Sequence, residues 1–403
     1  MDGFAPQKIQ DGLAGVRGMK IYKMNRQVVL VQRRMTHYRV AFFESLRVQL
    51  ELRNLALVLA YGEGTPEEKR KNDGAEVPWG HRLTTRYFGS GRICYQPLKG
   101  LCNGAAMLIV TPENKLVCNL WHQFAHTPYK VGLWGHGANL QGRAESWREK
   151  FKSRVARRAD WWFGYTELSR PLIARTEFPD ARVTVVNNSV DTRQMRAQFE
   201  AVDTLAIAEW RRAQGVQTER IGIFVGSLYE EKRIDFLLKA ASEIRTRVPD
   251  FELIMVGAGP QRALVETFCG TNPWAHYVGM LKGMDKVTAL ASATVMLNPG
   301  LVGLGILDSF VCEVPILTTD CGIHSPEIAY LQSGVNGVMT ADVLPDYVQE
   351  VVSLLEDSQR RDRLKAGCKA SAAEYTVENM ARNFADGVER CLNSHESGRG
   401  SGS

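Results

Sequence analysis

Between Val28 and Thr319, short apolar runs rich in valine, isoleucine and leucine recur between amphipathic stretches. A strand of four to six such residues has no polar face to offer water, so it belongs in a parallel sheet covered by helices on both sides. The spacing predicts strands at Val28–Gln32, Leu55–Tyr61, Lys130–Leu133, Trp162–Tyr165 and Arg182–Val186 in the first half, with helices at Arg39–Leu52 and Glu145–Arg158. In the second half it predicts strands at Ile221–Val225, Phe251–Val256, Ala275–Val278, Val295–Leu297 and Pro315–Thr319. Helices at Ala201–Gln214, Glu231–Arg247, Gln261–Phe268 and Asp285–Ala291 alternate with them. Three helices follow, at Pro345–Glu356, Arg360–Ala373 and Thr376–Leu392. The expected fold class is α/β, two Rossmann-like doubly wound domains facing a cleft, with ligands at the carboxyl ends of the strands. The division expected is 1–195, 196–375, a last helix over 376–392, and a disordered tail over 393–403.

Composition narrows the function classes. At roughly 150 residues per domain, 403 residues make two or three domains, and 44% apolar with 23% charged residues excludes disorder. The longest apolar stretches, Asn54–Ala60 and Ala105–Val110, fall short of a membrane span. Residues 1–26 carry no apolar core of a secretory signal, so a cytoplasmic location is expected. The net charge of +6 suits an anionic ligand and is too weak to imply nucleic acid. The eight cysteines include no C-x-x-C pair and are expected to be reduced and buried.

Three segments carry chemistry. Ile221–Arg233 runs from an apolar strand through Gly226 and Ser227 to Lys232 and Arg233, two cations at a strand's carboxyl end where a diphosphate would be favoured; two solvated cations at a helix start is the alternative. Ile254–Pro260 empties into Gly257-x-Gly259, a close backbone approach or an ordinary tight turn. Asn298–Pro315 places Gly300, Gly303 and Gly305 ahead of Asp308, a spacing that suits a nucleotide: the glycine turn for phosphate and the carboxylate for ribose. His122 and His126 stand four apart without the glutamate of a zinc motif, and no D-x-D element occurs, so no metal site is expected.

These motifs, in this order, resemble the nucleotide-sugar-binding domain of the retaining GT-B-fold glycosyltransferases of family 4, over about residues 185–390. Gly226-Ser227-Leu228 with Lys232-Arg233 is similar to the family's phosphate-binding strand and loop, and Gly257–Pro260 to its G-x-G-P turn. His276–Met280, with Val278 and Gly279, resembles the base-binding segment, and Gly300–Ser309, with Leu304, resembles the E-x7-E element. Pro326-Glu327 falls in the loop after the next strand, and Thr376–Leu392 is similar to the helix that crosses back to the first domain in this fold. On the acceptor side, His37-Tyr38-Arg39 before Phe42-Phe43 and Gly135-His136-Gly137 resemble family segments, and the resemblance implies that His136 lies beside the transferred sugar. This chain departs from the pattern at Ser227, where the family carries arginine, and at Gly300 and Asp308, where it carries glutamates. With no glycine pair after the first strand, Arg33, Arg34 or Arg39 is the candidate for reaching the donor phosphates.

The resemblance implies metal-independent transfer of a sugar, with retention, from a nucleoside diphosphate sugar to a hydroxyl acceptor. Lys232, Arg233 and the Gly303–Gly305 turn would stabilise the leaving diphosphate. A uridine nucleotide is expected ahead of a guanosine one. The acceptor expected is a saccharide or lipid-linked saccharide in surface polysaccharide or glycolipid synthesis. The span Glu149–Trp162, five cations and two tryptophans, would make peripheral contact with an anionic membrane at its inner face. The alternative is a catalytically silent nucleotide-sugar-binding homologue.

Overall fold

The structure of the chain, a computed structural model, describes residues 26–70, 73–137 and 157–394. The first half holds β1 (Arg26–Gln32), β2 (Leu55–Tyr61), β3 (His81–Arg82), a hairpin of β4 (Arg86–Phe88) and β5 (Ile93–Tyr95), β6 (Ala105–Val110), β7 (Lys130–Gly135), β8 (Trp161–Gly164) and β9 (Val183–Val185). Outside the hairpin these strands form one parallel sheet in the order β3-β2-β1-β6-β7-β8-β9. The second half holds β10 (Ile221–Val225), β11 (Glu252–Val256), β12 (Ala275–Gly279), β13 (Val295–Leu297), β14 (Ile316–Thr319) and β15 (Gly337–Thr340), parallel in the order β12-β11-β10-β13-β14-β15.

Burial explains the strands. Val28 and Leu30 enter one apolar cluster and Val29 and Val31 the cluster on the opposite face, so β1 is covered on both sides. In each sheet the winding reverses beside the first strand of the half: β1 lies between β2 and β6, and β10 between β11 and β13. Loops leaving the two neighbours of a reversal diverge and open a crevice at the carboxyl ends. In the second half that crevice lies after Val225 and Leu297, where Gly226 and the Asn298–Gly305 loop begin.

The helix Val377–Asn393 ties the halves together. Thr376 caps it by accepting a hydrogen bond from the Asn379 N–H, and Val377, Met380, Ala381, Phe384, Ala385 and Val388 are buried in the core of the first half. The Phe384 ring stacks on Phe163 at 4.2 Å, and a Cβ at Gly387 would meet Thr184 and Phe163 at 2.6 and 2.7 Å, so the helix approaches the sheet closely.

Several expectations change. The helix expected over Ala201–Gln214 begins at Thr204, because Val202 is extended and the Asp203 carboxylate caps it by accepting from Ala206 N–H, and a separate helix, Arg193–Ala201, precedes it. Strands β3, β6 and β15 and the β4–β5 hairpin are not among the expected elements. The basic helix over 145–158 lies outside the described residues except for Arg157 and Arg158, and so does the tail over 395–403. Trp161 and Trp162 lie in β8, both buried, on opposite faces of the sheet; they are core residues and not a membrane-facing pair. Among the described residues no helix is long and apolar enough to cross a membrane.

Replacing Phe384 with alanine removes a fully buried aromatic ring from the joint between the halves and is expected to cost about 3–5 kcal/mol. Guanidinium unfolding followed by tryptophan fluorescence measures this; an unchanged midpoint would contradict the packing described.

Candidate functional site

The loop after β10 and the loop after β13 meet backbone to backbone. Leu301 N–H donates to the Glu231 carbonyl at 2.7 Å, and a Cβ on Gly300 would sit 2.3 Å from that oxygen and 2.5 Å from the Lys232 carbonyl carbon. Position 300 therefore has no room for a side chain, which is the steric reason that no carboxylate stands there. The Gly257–Gly259 turn is shaped by the same demand. A Cβ on Gly257 would fall 1.8 Å from the Gly226 carbonyl oxygen, and one on Gly259 would fall 2.5 Å from that of Leu228. These glycines let two loops pack together.

The crevice they frame is a cavity of about 500 Å³, within the usual range of small-molecule sites. Gly226, Ser227, Lys232 and Gly257 line one side, and Gly303, Leu304, Gly305 and Asp308 the other. Space is open beside Gly305, and a Cβ at Gly303 would meet only the Ser325 side chain. A second hollow of about 410 Å³ lies by Arg211 and Gly215–Glu219, ahead of β10 and so at the opposite end of the sheet from these turns.

Lys232 dominates the electrostatics of the cavity. Its ammonium donates to the Leu301 carbonyl at 2.5 Å and lies 5.8 Å from the centre of the Tyr229 ring; among the described residues it has no carboxylate partner. Burial lowers its pKa to about 8. A lysine half removed from water, without a counter-ion and facing a cavity, is poised to receive an anion. Across the cavity Asp308 is paired with Lys286 at 2.7 Å, so that wall is close to neutral and the net charge comes from Lys232.

Arg233 does not join this site. It adopts a left-handed backbone conformation (φ 55°), which turns its guanidinium to an ion pair with Asp342, a 3.2 Å hydrogen bond to Thr319 and the face of Phe236. Val278, Gly279 and Gly259 also do not line the cavity, although Met280 and Leu281, which follow Gly279, do. Sequence reasoning missed Tyr229, Lys286 and Ser325. Lys286 stands in the helix after β12, and a cation following a strand's carboxyl end was the available signal. His324 was missed as well. Its Nδ1 accepts from Val302 N–H at 3.1 Å, so Nε2 carries the proton and donates to the Thr319 carbonyl at 2.7 Å, which pins the glycine loop to the end of β14. Burial lowers its pKa and favours this neutral form.

The acceptor-side candidates separate. His37 is exposed, with Nδ1 3.3 Å from the Asp73 carbonyl, and Tyr38 is also exposed. Arg39 is buried, its guanidinium 5.0–5.6 Å from the ring centres of Trp134, Tyr165 and Tyr38, and it donates to the Asn188 side chain at 2.7 Å. The Asn188 amide donates in turn to the buried Glu327 carboxylate at 2.6 Å, and Asn188 carbonyl accepts from Tyr330 at 2.8 Å. The Asn188 amide thus bridges a buried arginine of the first half and a buried carboxylate of the second. The His136 ring lies edge-on to Tyr165, with ring centres 4.3 Å apart. Its pKa is lowered mainly by loss of water around the ring, with Glu327 opposing and Arg39 assisting, so it is neutral near pH 7. Arg33 and Arg34 are not free to reach phosphate: Glu68 holds Arg33 through two bonds of 2.6 and 2.7 Å, and Asp73 holds Arg34 through bonds of 2.7 and 3.0 Å. The bonded Arg33 pushes the Glu68 pKa down to about 2.

With this geometry in hand, comparison with solved structures decides the architecture. Ninety per cent of the chain superposes on 99% of Anabaena Alr3699/HepE in complex with UDP and glucose, with a TM-score of 0.62 at 14% identity. The glycosyltransferase from Rickettsia africae matches over 92% of this chain and 100% of its own, with a TM-score of 0.68 at 10% identity. The chain has the GT-B fold. Within that GT-B frame, residues 219–357, which include the whole cavity, match the family described as glycosyl transferases group 1. Alpha-D-kanosaminyltransferase of Streptomyces kanamyceticus is 28% identical over 196 residues, 45% of this chain and 48% of that protein. The GDP-mannose-dependent alpha-(1-6)-phosphatidylinositol monomannoside mannosyltransferase of Mycolicibacterium smegmatis is 26% identical over 221 residues, 51% of this chain and 56% of its own length. The chain spans about half the length of the curated relatives it matches.

Gly300→Ala is expected to destabilise the protein by about 1–3 kcal/mol, because backbone and not a flexible side chain blocks the added methyl. Differential scanning calorimetry reads this. A melting temperature equal to that of wild type would show that the two loops are not packed as described.

Proposed function

We propose that this protein is a glycosyltransferase that moves a sugar from a nucleoside diphosphate sugar to a hydroxyl of an acceptor. The observation that carries the proposal is Lys232, a cation without a counter-ion among the described residues that faces a 500 Å³ cavity in the glycosyl transferases group 1 region. In this reading the diphosphate lies against Lys232, Ser227 and the Gly303–Gly305 turn, and Asp308, oriented by Lys286, accepts hydrogen bonds from the ribose hydroxyls.

The chemistry follows from charge. As the glycosidic bond lengthens, negative charge grows on the departing diphosphate and positive charge on the sugar, and the protonated ammonium of Lys232 stabilises the former where it develops. That fixed charge does the work a divalent cation would otherwise do, so the proposed transfer is independent of metal. Neutral His136 can both donate and accept a hydrogen bond, and we assign it to the acceptor or transferred-sugar hydroxyls. Retention of configuration rests on the family 4 resemblance.

The UDP-bound Anabaena neighbour supports a uridine donor, whereas the mycobacterial relatives are named as GDP-mannose-dependent. The proposal keeps uridine first. The phosphatidylinositol mannosides named for those relatives support a lipid-linked saccharide acceptor and a place in glycolipid or surface polysaccharide synthesis. The proposed location is the cytoplasm, at the inner face of the membrane that carries such an acceptor.

A thermal-shift panel of UDP, GDP and their sugars, with and without EDTA, tests this. One nucleotide is expected to raise the melting temperature of wild type regardless of EDTA, by about 2.7 kcal/mol of stability at a hundredfold excess over Kd. Lys232→Ala is expected to abolish the shift and to lower turnover by roughly 10²–10³. A shift retained in Lys232→Ala, or absent with every nucleotide in wild type, would overturn the assignment.

A further inference from the structure

From Val77 to Pro112 the chain contains no aspartate or glutamate, although it carries Arg82, Arg86, Arg92 and Lys99. The middle of this acid-free segment is the β4–β5 hairpin. Its register pairs Arg86 with Tyr95 and Phe88 with Ile93, while Tyr87 pairs with Cys94. Because side chains alternate across a strand, the first four share one face and the last two share the other.

The two faces have opposite fates. On the inner face Cys94 is buried, and Tyr87 donates to the Glu63 carbonyl at 2.7 Å while accepting from Arg33 at 3.0 Å. Just past the hairpin, the Gln96 amide donates to the Arg33 carbonyl at 2.7 Å. The hairpin is therefore fastened to the turns that follow β1 and β2, at the carboxyl end of the first sheet. On the outer face Phe88 is 52% exposed, Ile93 45% and Tyr95 42%. Between Phe88 and Arg92 the tip is Gly89-Ser90-Gly91, all in the left-handed region and without a bulky side chain. Arg86 and Arg92 are exposed and, among the described residues, have no ion-pair partner.

We infer that this outer face docks on an anionic lipid surface, with Phe88, Ile93 and Tyr95 entering the headgroup boundary and Arg86 and Arg92 meeting lipid phosphates. Charge complementarity selects this occupant. Apolar and aromatic side chains flanked by two arginines with no ion-pair partner among the described residues, in a span with no acidic residue, match the pattern that partitions to anionic interfaces. A face of three apolar residues is far too small for a stable protein interface, which buries about 800 Å² per partner. The contact differs from the one expected over Glu149–Trp162 and does not depend on donor binding. Its consequence, which rests on the proposed lipid-linked acceptor, is geometric: the bilayer would meet the carboxyl end of the first sheet, and a lipid-anchored hydroxyl would be presented there without leaving the membrane.

The test is co-sedimentation of the full chain with phosphatidylcholine vesicles and with equimolar phosphatidylcholine–phosphatidylglycerol vesicles, in the absence of nucleotide. Wild type is expected to pellet with the anionic vesicles only, and less so as salt is raised. Phe88→Ser with Ile93→Ser, and separately Arg86→Gln with Arg92→Gln, are each expected to weaken that binding by roughly tenfold or more. The same variants should keep the wild-type melting temperature, since the altered side chains are exposed. Vesicle binding undiminished in both variants, or absent in wild type, would overturn the inference. Unchanged vesicle binding with a raised KM for a soluble saccharide acceptor would overturn it in favour of a sugar subsite. None of these outcomes depends on whether Lys232 binds a nucleotide.

Discussion

The backbone contact between the loop after β13 and the turn at Glu231–Lys232 is the constraint from which the site follows. It requires glycine at 300, presents the Leu301 carbonyl to the Lys232 ammonium, and holds that ammonium at the cavity wall away from water. A carbonyl oxygen satisfies one of the three ammonium protons and contributes no formal charge. The lysine is thereby positioned but not neutralised, and burial lowers its pKa. A carboxylate at position 300 would have cancelled the charge, so the steric exclusion and the electrostatics have a single cause.

A second constraint joins the halves. Arg39 and Glu327 are buried on opposite sides of the junction, and Asn188 bonds to both through its side-chain oxygen and nitrogen. Interposing an amide keeps the two charges paired in effect while letting each half keep its own polar residue satisfied; loss of such a partner leaves a buried charge uncompensated, at a cost of about 3–5 kcal/mol. His136 feels both charges. The helix Val377–Asn393 adds a larger apolar joint through Phe384, with polar contacts beside it from Arg390 to Thr184, from Arg53 to Asp386 and from Ser189 to the Tyr375 carbonyl.

Much of this was legible in the sequence, and the limits have physical reasons. Strands β2, β10 and β13 lie where the apolar runs predict them, because a strand buried on both faces leaves no ambiguity of period. The cavity-lining glycines, Lys232 and Asp308 were also singled out, since anion-binding loops concentrate such residues. Adjacent cations cannot be told apart by composition: Arg233 leaves the site because of its left-handed backbone and because Asp342, 109 residues away, is there to receive it. The glycines at 257, 259 and 300 suggested ligand approach, whereas two of them serve loop packing and the third excludes a side chain. Trp161 and Trp162 followed a basic run and suggested a surface, but consecutive residues of a buried strand go to opposite cores. The β4–β5 hairpin carries no buried apolar run to mark it, since only Cys94 of its six strand residues is buried.

The central claim is that an uncompensated Lys232 receives an anionic diphosphate. Titration calorimetry with the nucleotide that binds, near pH 8 in buffers of different ionisation enthalpy, reads it directly. The free ammonium, with its pKa near 8, is only partly protonated there, and a bound diphosphate raises that pKa. The account therefore predicts proton uptake on binding, an affinity that falls as pH rises through about 8, and loss of both effects in Lys232→Arg, which stays charged. Binding without proton uptake, with an affinity unchanged between pH 7 and pH 9 in wild type, would contradict it.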